Sequence, residues 1–334
     1  MSRKTLVVLL TALVALTGCT GTAEQSASAT LPTPTIGLTY IPNIQFSPFY
    51  LAETDGAYTS AGVRPTLRHH GTSEALFTAI AAGQEQFVIA GGDELMQARS
   101  QGVDLVAVAS YYRSYPVEII VPATSTITSL ADLKGRTIGL PGKYGESWFG
   151  LLVALKSAGL TQADVKIAEI GYTQQAALTT GKVDAVVGFS NNDAVSFQLA
   201  GFATRSLAIA SGTVPLVGAC LITTPAYASA HPDVVKAVVS ATAAGITEAV
   251  EKPERALEVS ATYVPDLKTA SGKAAATATL AATKQLWTTA DGKVDPSLDA
   301  AGWTKMADFL TTAGITANRQ DPVAAMSNAY IPTR

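Results

Sequence analysis

The 334-residue chain holds 23 basic and 26 acidic residues, a net charge of −3, with 48% hydrophobic residues and two cysteines. It therefore lacks the basic surface that nucleic acid requires and the cysteine density of a disulfide-stapled scaffold, while its length suffices for a large core that divides into more than one part.

Arg3 and Lys4 precede an uncharged apolar run over 6–16. That run is too short for a stable membrane span and has the charged and apolar regions of a secretory signal. It closes in Leu16-Thr17-Gly18-Cys19, which resembles the lipobox of bacterial lipoproteins and implies a lipid on Cys19. Residues 20–34 are rich in Thr, Ser, Ala and Pro without apolar periodicity, a flexible tether. The reading is a signal peptide over 1–18, a tether over 19–34, and an exported body anchored to the outer face of the cytoplasmic membrane. Without Arg3 and Lys4 the balance is 21 basic against 26 acidic residues, a net of −5.

The body repeats itself. Thr35-Ile36-Gly37-Leu38 recurs as Thr137-Ile138-Gly139-Leu140, and Ser60-Ala61-Gly62-Val63 as Ser157-Ala158-Gly159-Leu160. Gly71 maps to Gly171, and Phe87-Val88-Ile89-Ala90 to Ala185-Val186-Val187-Gly188. The offset stays near 100 residues, and both copies end in a polar knot, Gly91-Gly92-Asp93-Glu94 and Ser190-Asn191-Asn192-Asp193. Any α/β chain reuses strand–helix units, but a constant offset over several words predicts two similar lobes with a cleft between them.

Strand patterns over 34–40, 64–69, 86–90, 105–110, 136–140, 166–169 and 185–187 alternate with helical ones over 49–54, 73–81, 147–157 and 174–179. That alternation predicts an α/β fold of doubly wound parallel sheets. The runs 115–121 and 214–222 each carry a proline near the start and read as strands crossing between lobes. The first lobe would then be 35–117 with 214–334, and the second 118–213. Cys220 lies in an apolar run and reads as a small buried hydrophobe. Beyond Ile222 the pattern turns helical, with helices opening at Pro232 and Pro253 and continuing over 270–288 and 298–312.

Ligands of open α/β sheets sit beyond the carboxyl ends of the strands. Four such ends carry more polar and aromatic residues than turns need. Candidate contacts are Asn43, Gln45, Phe46 and Tyr50 after the first strand, and Gly92 and Asp93 after the third. Tyr112 joins them, with Tyr144, Glu146 and Ser147 in the matching loop of the second lobe, and Phe189, Asn191 and Asn192 at its end. Asp or Asn before a helix also serves as an N-cap, so each taken singly has a purely structural reading. Amides offer donors and acceptors to a neutral polar edge, rings stack on a planar guest, and carboxylates accept from amino or protonated ring nitrogens. The sum suits a planar, heteroaromatic, largely uncharged small molecule; Lys143 and Arg113 keep an anionic solute open. Whether Trp148 faces the pocket or the core is left open. His69-His70 would face opposite sides of a strand, one ring packed and one exposed, a poor metal clamp. No Ser-His-Asp spacing, HExxH or CxxC motif points to catalysis, a metal or a cofactor.

The words Tyr40-Ile-Pro-Asn-Ile-Gln-Phe-Ser-Pro-Phe-Tyr-Leu-Ala-Glu53, Ala82-Gly-Gln-Glu-Gln-Phe-Val-Ile-Ala90, Ser129-Leu-Ala-Asp-Leu-Lys-Gly-Arg-Thr-Ile-Gly-Leu-Pro141 and Gly181-Lys-Val-Asp-Ala185 carry a resemblance. So does the helical tail over 231–265. The chain resembles ABC-transporter solute-binding lipoproteins of the nitrate/sulfonate/taurine and thiamine-pyrimidine-precursor class, whose fold also hosts a pyrimidine synthase of similar sequence. The resemblance implies a type II periplasmic-binding-protein fold, a monomer that closes on solute, and delivery to a permease driven by an ATPase. It carries Asn43, Gln45, Asp93, Tyr144, Ser147 and Asn191 over as contacts. The family's ligands imply a pyrimidine precursor or riboflavin, with sulfonate or nitrate as the alternative; an enzyme on the same fold is the further rival.

Overall fold

The computed structural model describes residues 30–70, 74–209 and 215–332. The signal peptide, Cys19 and most of the tether lie outside these residues, as do Gly71, the start of the helix expected at 73, and Val214.

Ten strands form two five-stranded sheets of the same design. The first contains β1 (Thr35–Leu38), β2 (Thr66–His69), β3 (Phe87–Gly91), β4 (Val106–Ser110) and β10 (Ala219–Thr223), in the order β2-β1-β3-β10-β4. The second contains β5 (Val117–Pro122), β6 (Thr137–Leu140), β7 (Lys166–Glu169), β8 (Ala185–Phe189) and β9 (Thr204–Ala208), in the order β7-β6-β8-β5-β9. The repeated Thr-Ile-Gly-Leu words are β1 and β6, each flanked by two parallel partners.

The sheets are mixed, which corrects the all-parallel expectation. In each, the strand that arrives from the other lobe runs antiparallel: β10 between β3 and β4, and β5 between β8 and β9. The edge strand β9, Thr-Arg-Ser-Leu-Ala, was not foreseen, because half-exposed edge strands lack a clean apolar alternation.

Successive residues of a strand face opposite sides of the sheet, so the strands divide their side chains between two cores. Ile36, Leu38, Phe87, Ile89 and Leu221 pack on one face of the first sheet; Val88, Ala90, Cys220 and Ile222 pack on the other. In the second sheet Ile119, Ile138 and Val187 oppose Ile120 and Val186 in the same way. Cys220 is fully buried, its thiol pushed up in pKa by burial.

The long tail helices Pro232–Glu251, Pro253–Ser260 and Ala270–Trp287 add their apolar faces to the first lobe's core. The helix Ala270–Trp287 also reaches the second lobe, where Thr283 Oγ1 accepts a 2.9 Å bond from Asn191 Nδ2. Among the described residues no helix is long and apolar enough to cross a membrane.

Neither histidine of the 69–70 pair is exposed. His69, half-buried at the end of β2, meets the Tyr50 hydroxyl at 2.8 Å and the Tyr40 carbonyl at 3.0 Å. His70 lies just past the strand, buried against the Glu85 carboxylate at 2.9 Å. Both rings are thus used in packing, because partners on neighbouring loops close over them.

Candidate ligand-binding cleft

A cavity of about 640 Å³ lies between the facing loops of the two lobes. Its floor is the meeting of two helix starts. Glu94 stands in the first turn of the helix Gly92–Ser100, and Glu146 in the first turn of the helix Gly145–Ser157. Asp93 is immediately behind them; one oxygen from each of Asp93, Glu94 and Glu146 lies within 4.8 Å of the others. Adjacent glycines allow that approach, since a Cβ at Gly91 would come within 2.5 Å of Asp93 Oδ1 and 2.8 Å of Glu146 Oε1.

Helix amino ends favour negative charge, but burial of this degree outweighs the dipole. Burial raises Asp93 to about 6 against the bonds it accepts from Tyr115 and the Glu94 N–H. Burial, and then the charge of Asp93, lifts Glu94 to about 8. Glu146 is held well above the carboxylate range by burial and by Glu94 and Asp93. None of the three forms an ion pair with a Lys, Arg or His among the described residues. As a metal site the trio is meagre: a hard cation takes roughly 6–8 oxygens, while Tyr115 and the Gly91 N–H already occupy one oxygen of Asp93 and one of Glu94.

Aromatic rings and amides make the walls. Tyr40, Phe46, Tyr111 and Tyr112 come from the first lobe, and Tyr144, Tyr172 and Phe189 from the second. Asn43 and Gln45 lie opposite Gln174, Gln175 and Asn192. Asn43 serves twice: its Oδ1 caps the 3-10 turn Ile44–Phe46 by accepting the Gln45 N–H at 3.1 Å, and the residue lines the cavity.

Of the residues expected from sequence, Asn43, Gln45, Phe46, Tyr112, Tyr144, Glu146, Ser147, Phe189 and Asn192 line the cavity. Tyr50, Gly92, Asp93 and Asn191 stand behind its surface. Tyr50 is buried, stacked on Tyr263 at 3.9 Å. Gly92 is packed under Val217 and Met306. Asp93 is 1% exposed and receives the Tyr115 hydroxyl at 2.5 Å. Asn191, also 1% exposed, braces Thr283. Trp148 packs on the second lobe's core, with Lys143 over its ring at 5.9 Å. Arg113 is turned away to the carbonyls of Asp295 and Ser297. The two cations that kept an anionic guest open are therefore both absent from the wall.

Sequence reasoning passed over Glu94, Asp193, Tyr40, Tyr172 and Gln174, all of which line the cavity. Glu94 and Asp193 lay in the same polar knots as the residues chosen. Tyr172 follows Gly171, a position the repeat had marked.

A model of the family described as NMT1/THI5 like matches residues 43–256. The chain belongs to this family. It is 28% identical to the riboflavin-binding protein RibY of Chloroflexus aurantiacus over 98% of this chain and 95% of that protein. It is 27% identical to the formylaminopyrimidine-binding protein of Halalkalibacterium halodurans over 76% and 77% of the two chains. A 4-amino-5-hydroxymethyl-2-methylpyrimidine phosphate synthase of Legionella pneumophila is 22% identical over 70% and 75%. Among solved structures, the alkanesulfonate-binding protein SsuA of Xanthomonas axonopodis pv. citri, bound to MOPS, superposes with a TM-score of 0.67 at 22% identity, covering 90% of this chain and 99% of that one. At that identity the likeness speaks for the fold: a periplasmic-binding-protein fold of two α/β lobes.

Proposed function

We propose that this protein is the exported solute-binding component of an ABC importer, capturing a small planar heteroaromatic molecule and handing it to a permease unchanged. One observation carries the reading: among the described residues, the cavity between the two lobes is walled by seven aromatic rings and five side-chain amides, with no Lys, Arg or His in its lining. Rings favour a flat guest, with about 0.5–1.5 kcal/mol per stacked contact beyond area burial. Amides satisfy whichever donors and acceptors its edge presents. The family membership and the names of the riboflavin- and formylaminopyrimidine-binding relatives support the same class of solute.

The two lobes contribute to one cavity, so a guest that touches both stabilises the closed form by contacts that the open form lacks. No covalent step is required. The protein acts as a monomer held at the outer face of the cytoplasmic membrane by a lipid on Cys19. Sulfonate and nitrate are disfavoured as guests by a wall whose charged residues, among those described, are all acidic.

Titration calorimetry with riboflavin, 4-amino-5-hydroxymethyl-2-methylpyrimidine, taurine and nitrate tests this. Binding of a heteroaromatic, recovered intact, is the expected result. Binding of taurine or nitrate alone, or chemical conversion of the guest, would refute it.

A further inference from the structure

Three phenol hydroxyls around the floor of the cavity are already committed to acceptors of the protein itself. Tyr111 donates its hydroxyl proton to the Gln45 carbonyl at 2.6 Å, Tyr112 to Gln45 Oε1 at 3.4 Å, and Tyr115 to Asp93 Oδ2 at 2.5 Å. A phenol has one proton to give, so these three hydroxyls have none left for a guest. Acceptors are in surplus. Glu146 Oε1 is buried in the cavity wall without any hydrogen-bond partner, and Asn191 Oδ1, behind Tyr112, is in the same condition. A buried acceptor left without a donor destabilises the site until a donor reaches it.

The charges tell the same way. Four carboxylates line the cavity: Glu74, Glu94, Glu146 and Asp193. Arg68 holds Glu74 with two 2.8 Å bonds, so that charge is answered. Glu94, Glu146 and Asp193 have no such cation, and the first two face each other across the lobes.

Resting on the heteroaromatic reading above, we propose that the solute enters with a nitrogen edge of two N–H donors, positively charged or protonated on binding, and that Glu94 from one lobe and Glu146 from the other clasp it. A planar fork of N–H donors matches paired carboxylate oxygens as a guanidinium does. One edge thereby bridges both lobes and supplies a donor to the unpartnered Glu146 Oε1. A solute edged with acceptors would leave the unpartnered Glu146 Oε1 without a donor.

Three probes share one ring and differ at the edge: benzamidine, a planar cation with two donors; benzamide, its neutral analogue; and benzenesulfonate, an anion. Titrated into the full-length chain in detergent micelles, benzamidine should bind at least tenfold tighter than benzamide, and benzenesulfonate should not bind. Glu94→Gln and Glu146→Gln should each shrink the benzamidine advantage at least fivefold, while a circular dichroism spectrum like that of the parent chain shows that each variant is folded. Equal or weaker binding of benzamidine, or an advantage that survives both substitutions, overturns the clasp. Riboflavin binding alongside either failure would leave the proposed function standing, whereas failure of every planar probe and of riboflavin removes both.

Discussion

The ring of Tyr40, from the first lobe, meets the ring of Tyr172, from the second, edge to face with centroids 5.4 Å apart and planes at 62°. Both residues line the cavity, and Tyr172 remains 41% exposed at its mouth. This contact joins the two halves over the cavity. Tyr172→Ala should weaken solute binding by about 0.5–1.5 kcal/mol, roughly twofold to tenfold, through faster release. Stopped-flow dissociation checks the rate, and an unchanged melting temperature checks that the loss is one of closure.

The carboxylate cluster makes stability depend on pH. Asp93 at about 6 and Glu94 at about 8 lie above ordinary carboxylate values, so the folded, closed form keeps protons that an unfolded chain releases. Between the unfolded value near 4 and the folded values, raising the pH should therefore lower stability, at up to about 1.4 kcal/mol per pH unit for each proton retained. For these two residues the penalty is absent below that window and complete above it. Thermal melts from pH 4 to 9 should show the decline, and Glu94→Gln should flatten its upper part. A stability that rises with pH across this range would contradict the burial of these acids.

Asn191 is expected to act on stability more than on affinity. It is buried, and its amide bridges the second lobe to Thr283 in the tail helix. Asn191→Ala leaves that bond unmade, at a cost of about 1–3 kcal/mol in urea unfolding. Unchanged stability with a hundredfold loss of affinity would instead make it a direct solute contact.

The repeated Thr-Ile-Gly-Leu words allow a paired test. A Cβ at Gly37 would come within 2.3 Å of the Glu85 carboxylate, which His70 and Arg68 pin in place. At Gly139 the corresponding Cβ meets the Ile170 Cδ1 at 2.7 Å, the far end of a flexible side chain. Gly37→Ala should cost about 1–3 kcal/mol, and Gly139→Ala less. Urea unfolding of the two variants side by side measures the difference.

Much of the architecture was legible because it is local. Four- to six-residue apolar runs mark buried strands wherever they fall, so β1, β3 and β6 stand within a residue or two of where the pattern placed them, and the ~100-residue offset announced two sheets of one design. Strand direction is not local. That β5 and β10 enter their sheets antiparallel depends on the path between lobes, which no window of residues encodes.

The cleft divides in the same manner. Residue type told which loops were polar and aromatic beyond the needs of turns, and Asn43, Gln45, Tyr144, Ser147 and Asn192 came to the surface of the cavity. Within a polar knot, however, neighbours one position apart point in different directions. Asp93 turned inward to Tyr115 while Glu94 faced the cavity, and Asn191 turned to Thr283 while Asn192 lined the wall. Composition and periodicity determined that the chain builds two like lobes with furnished loops, since both follow from side-chain chemistry alone. Which of those side chains look into the cleft was decided by tertiary packing, because a partner some 90 residues away on the tail helix sets the direction of Asn191.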